Sequence, residues 1–252
     1  SAHKLMFLVR NDFVVHENNL LSNDLTFSSG IICHKTDQDN CFMEFDANKI
    51  VHAFYENKIH RDRSLESFQF FDIFGESIFK VYLKDHNSKV FSQIVDKYKV
   101  EYEYQLQKDN HINKKSTKEK SIKINMPFNV NKKNIKEHNV NKNIIQFLLD
   151  EISKNKIQVQ VHVNGNSVVQ YYRGFISNIV QFGDWINVLD KYFNLHAIKD
   201  DLSSSILFEY NGFNISDYSI EFFDKKNNYL MGITPLLESK EDFVKIINEL
   251  GV

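Results

Sequence analysis

The chain has 252 residues, 42% hydrophobic and 13% aromatic, with two cysteines and a formal charge of −2. This describes a folded, soluble protein with enough apolar surface for one large core or two small ones. No apolar run approaches the roughly 20 residues that cross a bilayer, and the start at Ser1 has no signal-peptide stretch, so the chain as given reads as cytoplasmic. Cys33 and Cys41 cannot build a disulfide framework, and no second cysteine pair supports a zinc site near His34; both read as reduced thiols.

In chain order, Val14 and Val15 open the first apolar strand pattern, and Phe54, Tyr55 and Glu56 mark another. Arg61, Arg63 and Leu65 fall on one side of an alternating stretch. Ser67-Phe68-Gln69-Phe70-Phe71-Asp72 has the period of two of a half-buried strand, and a turn at Gly75 leads to a return strand through Ile78. Phe91, Ile94, Val95 and Tyr98 have the spacing of an amphipathic helix, with Ser88 placed as its N-cap.

From Lys108 to Asn143 come ten lysines and nine asparagines against three acids, so this segment carries +7 and the remainder −9. Without interleaved aromatics or arginines it reads as a solvated connector over residues 99–143 rather than a phosphate-binding arm, so nucleic acid is not an expected partner. Few apolar side chains offset the entropy of ordering, which predicts a mobile segment over 108–140. Ile145, Leu148, Leu149 and Ile152 then form the stripe of a separate helix, with Asn143 and Gln146 as its cap.

The remainder repeats the beginning. At an offset of 152 residues, Ser67–Asp72 falls on Ser219–Asp224 without a gap, Gly75 on Asn227, Ile78 on Leu230, and Phe91 on Phe243. Glycine and asparagine are the residues that most readily accept a left-handed backbone, so the turn chemistry survives the exchange. Phe243, Ile246, Ile247 and Leu250 reproduce the helix stripe, with Ser239 and Asp242 as a capping box. Upstream, with small slips, Val14-Val15 falls on Val168-Val169 and Phe54-Tyr55-Glu56 on Leu207-Phe208-Glu209. The chain is read as a duplication, with a first repeat over 1–98, the connector over 99–143, and a leading helix plus second repeat over 144–252. Gly-rich phosphate loops, a GxSxG turn and HExxH are absent.

The stretch GDWINVLDKYFNLHAIKDDLSSSILFEY (183–210), followed by SIEFFD, resembles the second half of haem-utilisation proteins of the HemS, ChuS and HmuS type. LVRNDFVVHEN (8–18) and SFQFFDIFGESIFKVYL (67–83) resemble the TRNxxxVHE and S-x-QFFDxxGxxxxKVY segments of their first half. The likeness spans nearly the whole chain outside the connector. It implies a HemS/ChuX-like α+β fold of two tandem homologous repeats, each a mostly antiparallel sheet with a C-terminal amphipathic helix. It also implies haem as the bound group, and a haem donor or acceptor protein as partner.

The family's iron-ligating histidine lies in a D-x-H-x-F-F pattern between the halves. The nearest match is Asp109-Asn110-His111, whose following apolar residues are replaced by Asn113, Lys114 and Lys115; His138 is the fallback. The tyrosine and arginine usual after the second return strand are missing, since the chain reads Met231-Gly232-Ile233-Thr234-Pro235. The first copy keeps Lys80-Val81-Tyr82, and Arg61 and Arg63 stand near the family's distal arginine. His196 matches the FNLH run directly, on a strand beside Trp185, which is read as packed. The expected contacts to haem are therefore Arg63, Lys80, Tyr82 and His196, with His111 or His138 on the iron. The resemblance implies haem carriage or storage, with haem degradation as an alternative and a structural or protein-binding module that has lost haem as a third.

Overall fold

The computed structural model describes residues 2–35, 37–60, 63–85, 89–100, 136–140, 144–209 and 218–249. The first repeat contributes β1 (Lys4–Arg10), β2 (Val14–Leu21), β3 (Leu25–Ser28), β4 (Ile31–His34), β5 (Asp37–Phe45), β6 (His52–His60), β7 (Arg63–Phe71), β8 (Ser77–Leu83) and α1 (Val90–Tyr98). After β9 (Lys136–Val140) and α2 (Ile144–Lys154) come β10 (Gln158–Gly165), β11 (Val168–Phe175), β12 (Ile179–Phe182), β13 (Trp185–Leu189), β14 (Phe193–Ile198), β15 (Ser204–Glu209), β16 (Tyr218–Phe223), β17 (Tyr229–Pro235) and α3 (Lys240–Glu249).

The duplication is visible turn by turn. Asp72 Oδ1 accepts from the N–H groups of Phe74 and Glu76 at 2.9 Å each, and Asp224 Oδ1 accepts from Lys226 and Asn228 at 2.7 and 2.8 Å. Gly75 and Asn227 close these turns at φ of 77° and 60°, and the strand register shifts at Phe70/Phe71 and at Phe222/Phe223. Strand pairing also corrects one alignment. Tyr55 lies opposite Phe68 and Leu207 opposite Ile220, so Phe54-Tyr55-Glu56 corresponds to Ile206-Leu207-Phe208 with no slip.

Every pairing among the described strands is antiparallel, and the two sheets trade hairpins. The first runs β12-β13-β14-β2-β1-β8-β7-β6 and the second β3-β4-β5-β11-β10-β17-β16-β15-β9. The middle hairpins of each repeat thus extend the other repeat's sheet, β14 on β2 and β5 on β11. Where the sheets cross, polar bonds join them. His16 Nδ1 donates to the Gln170 carbonyl at 3.1 Å, Gln170 Nε2 donates to the Phe7 carbonyl at 3.1 Å, and Asn18 Nδ2 donates to the Tyr171 carbonyl at 2.8 Å. His16 and Gln170 are 0% exposed. Burial pulls the His16 imidazole down from 6.5 to about 3, so it is neutral.

Several local expectations need correction. The N-cap of α1 is Lys89, with no side-chain cap, rather than Ser88, and of its stripe Phe91 is buried while Ile94 and Tyr98 are 39% and 66% exposed. Helix α3 buries Phe243, Ile246 and Ile247, because α2 packs in the same core and supplies Leu148, Leu149 and Ile152. Ser239 stands immediately before α3, and its Oγ accepts from Gln158 N–H at 3.0 Å, tying the helix start to β10. Gln146 donates to Asp150 one turn on rather than back to a cap, and Asn143 lies outside the described residues. The connector's last residues form the edge strand β9, whose charged, polar residues suit a sheet margin; residues 101–135 lie outside the described residues. Cys33 and Cys41 are not free thiols: the β4–β5 hairpin sets them opposite each other and their sulfurs are bonded. Phe70 is only partly buried, whereas Phe222 is 1% exposed.

Phe222→Ala should therefore cost about 3–5 kcal/mol in denaturant unfolding and Phe70→Ala distinctly less; equal losses would contradict this packing. His16 should also make the fold acid-sensitive. Its folded value lies below its unfolded value of 6.5, so the unfolded chain takes up the proton first, and stability is lost as pH falls from 6.5 toward 3. The loss is at most about 1.4 kcal/mol per pH unit. Urea midpoints between pH 7.5 and 4.5 should fall more steeply for the native chain than for His16→Gln, and parallel curves would refute the assignment.

Candidate functional site

The face of the first sheet turned away from the core brings together two of the expected residues. Lys80 lies opposite Gln69 and Leu8, and Tyr82 opposite Ser67 and Met6. Glu56 faces Ser67, and Lys58 faces Leu65, so β6 adds one acid and one base to the same face. The acid is engaged: Glu56 accepts from Gln69 Nε2 at 2.8 Å and pairs with Lys58 at 2.5 Å. Lys80 is half-buried, and burial pulls its ammonium below the usual lysine range, with Arg10 and Lys58 adding repulsion against the attraction of Glu56. Burial, Glu56 and Glu17 push the Tyr82 phenol up, so it stays a neutral donor. An anion arriving here meets one desolvated cation, two neighbouring cations and a phenol, and it relieves the cost of holding Lys80 charged.

His196 shares this face. It pairs with Val15 on β2, and its Nδ1 meets Asn187 Oδ1 at 2.7 Å, which orients the ring. From β14 to β8 is three strands, about 14 Å across the sheet. Trp185 is not packed beside it but is 37% exposed on the exchanged hairpin. Arg63 opens β7 opposite His60. Arg61 and His111 lie outside the described residues. His138 pairs with Leu207 at the far edge of the second sheet, on a different sheet from Lys80. Arg10, Glu56, Lys58 and Gln69 were not singled out from sequence. The alternation that placed Phe68 and Phe70 on one side places Ser67 and Gln69 on the other, and that was the available signal.

The homologous face of the second repeat has different chemistry. Lys80 corresponds to Gly232, Tyr82 to Thr234, Gln69 to Glu221, and Leu8 to His162, which pairs with Gly232. Glu221 and His162 are 1% and 2% exposed, 3.4 Å apart between Oε2 and Nε2. Ser219 donates to Glu221, Tyr229 bonds His162, and Thr234 donates to Ser219 at 3.0 Å. Burial alone raises a carboxyl, but His162 and the bonds from Ser219 and Tyr229 hold Glu221 below the usual range. A Cβ at Gly232 would stand 2.1 Å from Glu221 Oε2 and 2.5 Å from His162 Cε1. No lysine fits there, because the space beside Gly232 is taken by the Glu221 carboxylate and the His162 ring. Among the described residues no cluster of three His, Cys, Asp or Glu could hold a metal ion, and no helix is long and apolar enough to cross a membrane.

Two strand-exchanged antiparallel sheets, one of them bearing a cationic face, define a duplicated α+β protein. The chain belongs to a known family of this build: the model of the haemin-degrading HemS.ChuX domain matches residues 1–98 and 131–242. Among solved structures, the Escherichia coli haem oxygenase ChuS superposes with a TM-score of 0.75 at 15% identity, over 99% of this chain and 83% of that one. The haem-loaded form of PhuS, a haem-binding protein from Pseudomonas aeruginosa, gives 0.73 at 15% identity, over 97% and 80%. At these identities the likeness establishes the fold alone. No curated protein matches the chain in sequence.

The contrast between the two faces is testable by reciprocal substitution. Gly232→Ala should destabilise the fold by about 1–3 kcal/mol through overpacking, while Lys80→Gly should cost less than half of that. The opposite order in chemical denaturation would show that the second face is not closed as described.

Proposed function

We propose that the protein binds haem for carriage or storage, on the outward face of the first sheet. The observation that carries this reading is the half-buried Lys80 with Tyr82, Lys58 and Arg10 about it, on a chain that belongs to the HemS.ChuX family. Haem here is cargo. Its two propionates match the cationic end of the face, and the apolar ring would lie toward β1 and β2. His196, oriented by Asn187, faces the iron from the same sheet. His111 and His138 are the competing ligands, brought from the segment between the repeats. A face in which Lys80 and Tyr82 remain partly exposed suits a ligand that must be handed on, so a protein that donates or accepts haem is the implied partner.

Haem degradation is the second reading, favoured by the description of the family as haemin-degrading. Ring opening consumes electrons and oxygen, so it requires an external reductant and an open coordination position opposite the histidine. The residues on this face would then hold the propionates and orient the macrocycle, and haem would be substrate rather than cargo.

Titration with haemin should give a sharp Soret band that saturates, and Lys80→Glu should weaken binding at least tenfold. His196→Ala should shift the band; an unchanged spectrum there together with its loss in His111→Ala would move the ligand to the connector. No saturable band in the native chain would overturn the reading and leave a structural or protein-binding role. Persistence of the loaded spectrum under reductant and oxygen supports the carrier, and bleaching supports the enzyme.

A further inference from the structure

The margins of the two sheets differ in length. Among the described residues the outer strands are β12 and β3 with four residues each, β9 with five, and β6 with nine. A short margin is a usual protection against pairing with another chain, and β6 lacks it. Its residues are open: Ala53 and Asn57 are exposed, Phe54 and Ile59 are 51% and 83% exposed, and no described strand lies on its outer side.

The second repeat shows that this edge takes a further strand. There β15 is the equivalent of β6, and β9 pairs antiparallel with it from Ser205 to Glu209, the positions equivalent to Ala53–Asn57. Under that cover Ser205, Leu207 and Phe208 are buried, whereas Ala53, Tyr55 and Glu56 at the same places are not. Among the described residues the same edge is closed in one repeat and open in the other.

We infer that β6 pairs antiparallel with β6 of a second copy, about a two-fold axis through Asn57. Facing residues of a sheet share a side, so the axis must pass through a residue, and the charges select which one. An axis at Glu56 sets two carboxylates against each other, and one at Lys58 sets two ammonium groups. An axis at Tyr55 puts Glu56 against Phe54 and Lys58 against His52, with no charge matched. At Asn57 each Glu56 faces Lys58 of the other copy, and each Tyr55 faces Ile59, the most exposed large apolar residue of the strand. Glu56 and Lys58 already pair along β6 at 2.5 Å, with side chains 36% and 67% exposed. The added strand keeps that pair and sets a second against it in alternation, so no charge is left alone at the seam. An axis perpendicular to the sheet leaves its faces unchanged, so both Lys80 faces open on the same side of one continuous sheet. The inference stands apart from haem binding.

Sedimentation of the full chain at rising concentration should show a monomer–dimer equilibrium. Glu56→Lys makes every charge at the seam positive and Lys58→Glu makes every one negative, so each variant alone should raise the dimer Kd at least tenfold. Mixed in equal amounts, the two should form a heterodimer of near-native Kd, because opposite charges face each other again; recovery also shows that both are folded. The double exchange Glu56→Lys, Lys58→Glu on one chain should dimerise like the native protein. A native chain that stays monomeric at its highest soluble concentration overturns the proposal and leaves the edge to a strand of another protein. A dimer that both charge variants retain also overturns it, as does a failure to recover in both the mixture and the double exchange.

Discussion

The molecule is organised around the place where β2 and β11 cross. Their central residues are repeat equivalents, His16 and Gln170, and each reaches backbone of the opposite repeat from a fully buried position. Each makes one directional bond to the other repeat while its second polar atom, His16 Nε2 or Gln170 Oε1, has no hydrogen-bond partner, so these bonds orient one repeat on the other through groups that are only partly satisfied. Each middle hairpin leaves its own sheet beyond this crossing and continues the other. Folding one repeat alone would leave the edges of β2 and β11 without the strands β14 and β5 that cover them.

With the scaffold shared, the repeats are free to diverge on the faces turned away from the core. The first keeps a cation where the second has Gly232, and the second fills that space with a carboxylate and an imidazole. Removing either member of the Glu221–His162 pair would strand the other in a dry site, so the pair is maintained once formed. The Lys80 face is the reverse case: it is held partly desolvated without a full complement of negative charge, the usual condition of a site that awaits a ligand. Duplication supplied two similar surfaces, of which one became packing and the other is proposed to bind.

What was legible in the sequence follows from how local each determinant is. The paired turns at Asp72 and Asp224 were readable because a few adjacent residues build them. Helix α3 was readable because its stripe meets a core, while the same stripe in α1 misled beyond Phe91, since periodicity reports a preference and not whether a partner is present. The family was legible from motif runs. The hairpin exchange was not, because partners as far apart as Phe45 and Val168, or Val14 and Ala197, leave no local mark. The Cys33–Cys41 bond was missed for the related reason that spacing alone does not give hairpin register.

The central claim is that the open, cation-bearing face of the first repeat, and not its closed counterpart, receives haem. The most direct measurement is the iron anomalous difference map from crystals of the chain grown with haemin. The account predicts a peak above the first sheet between Lys80 and His196. A peak over the second sheet beside Glu221 and His162, with none near Lys80, would contradict it.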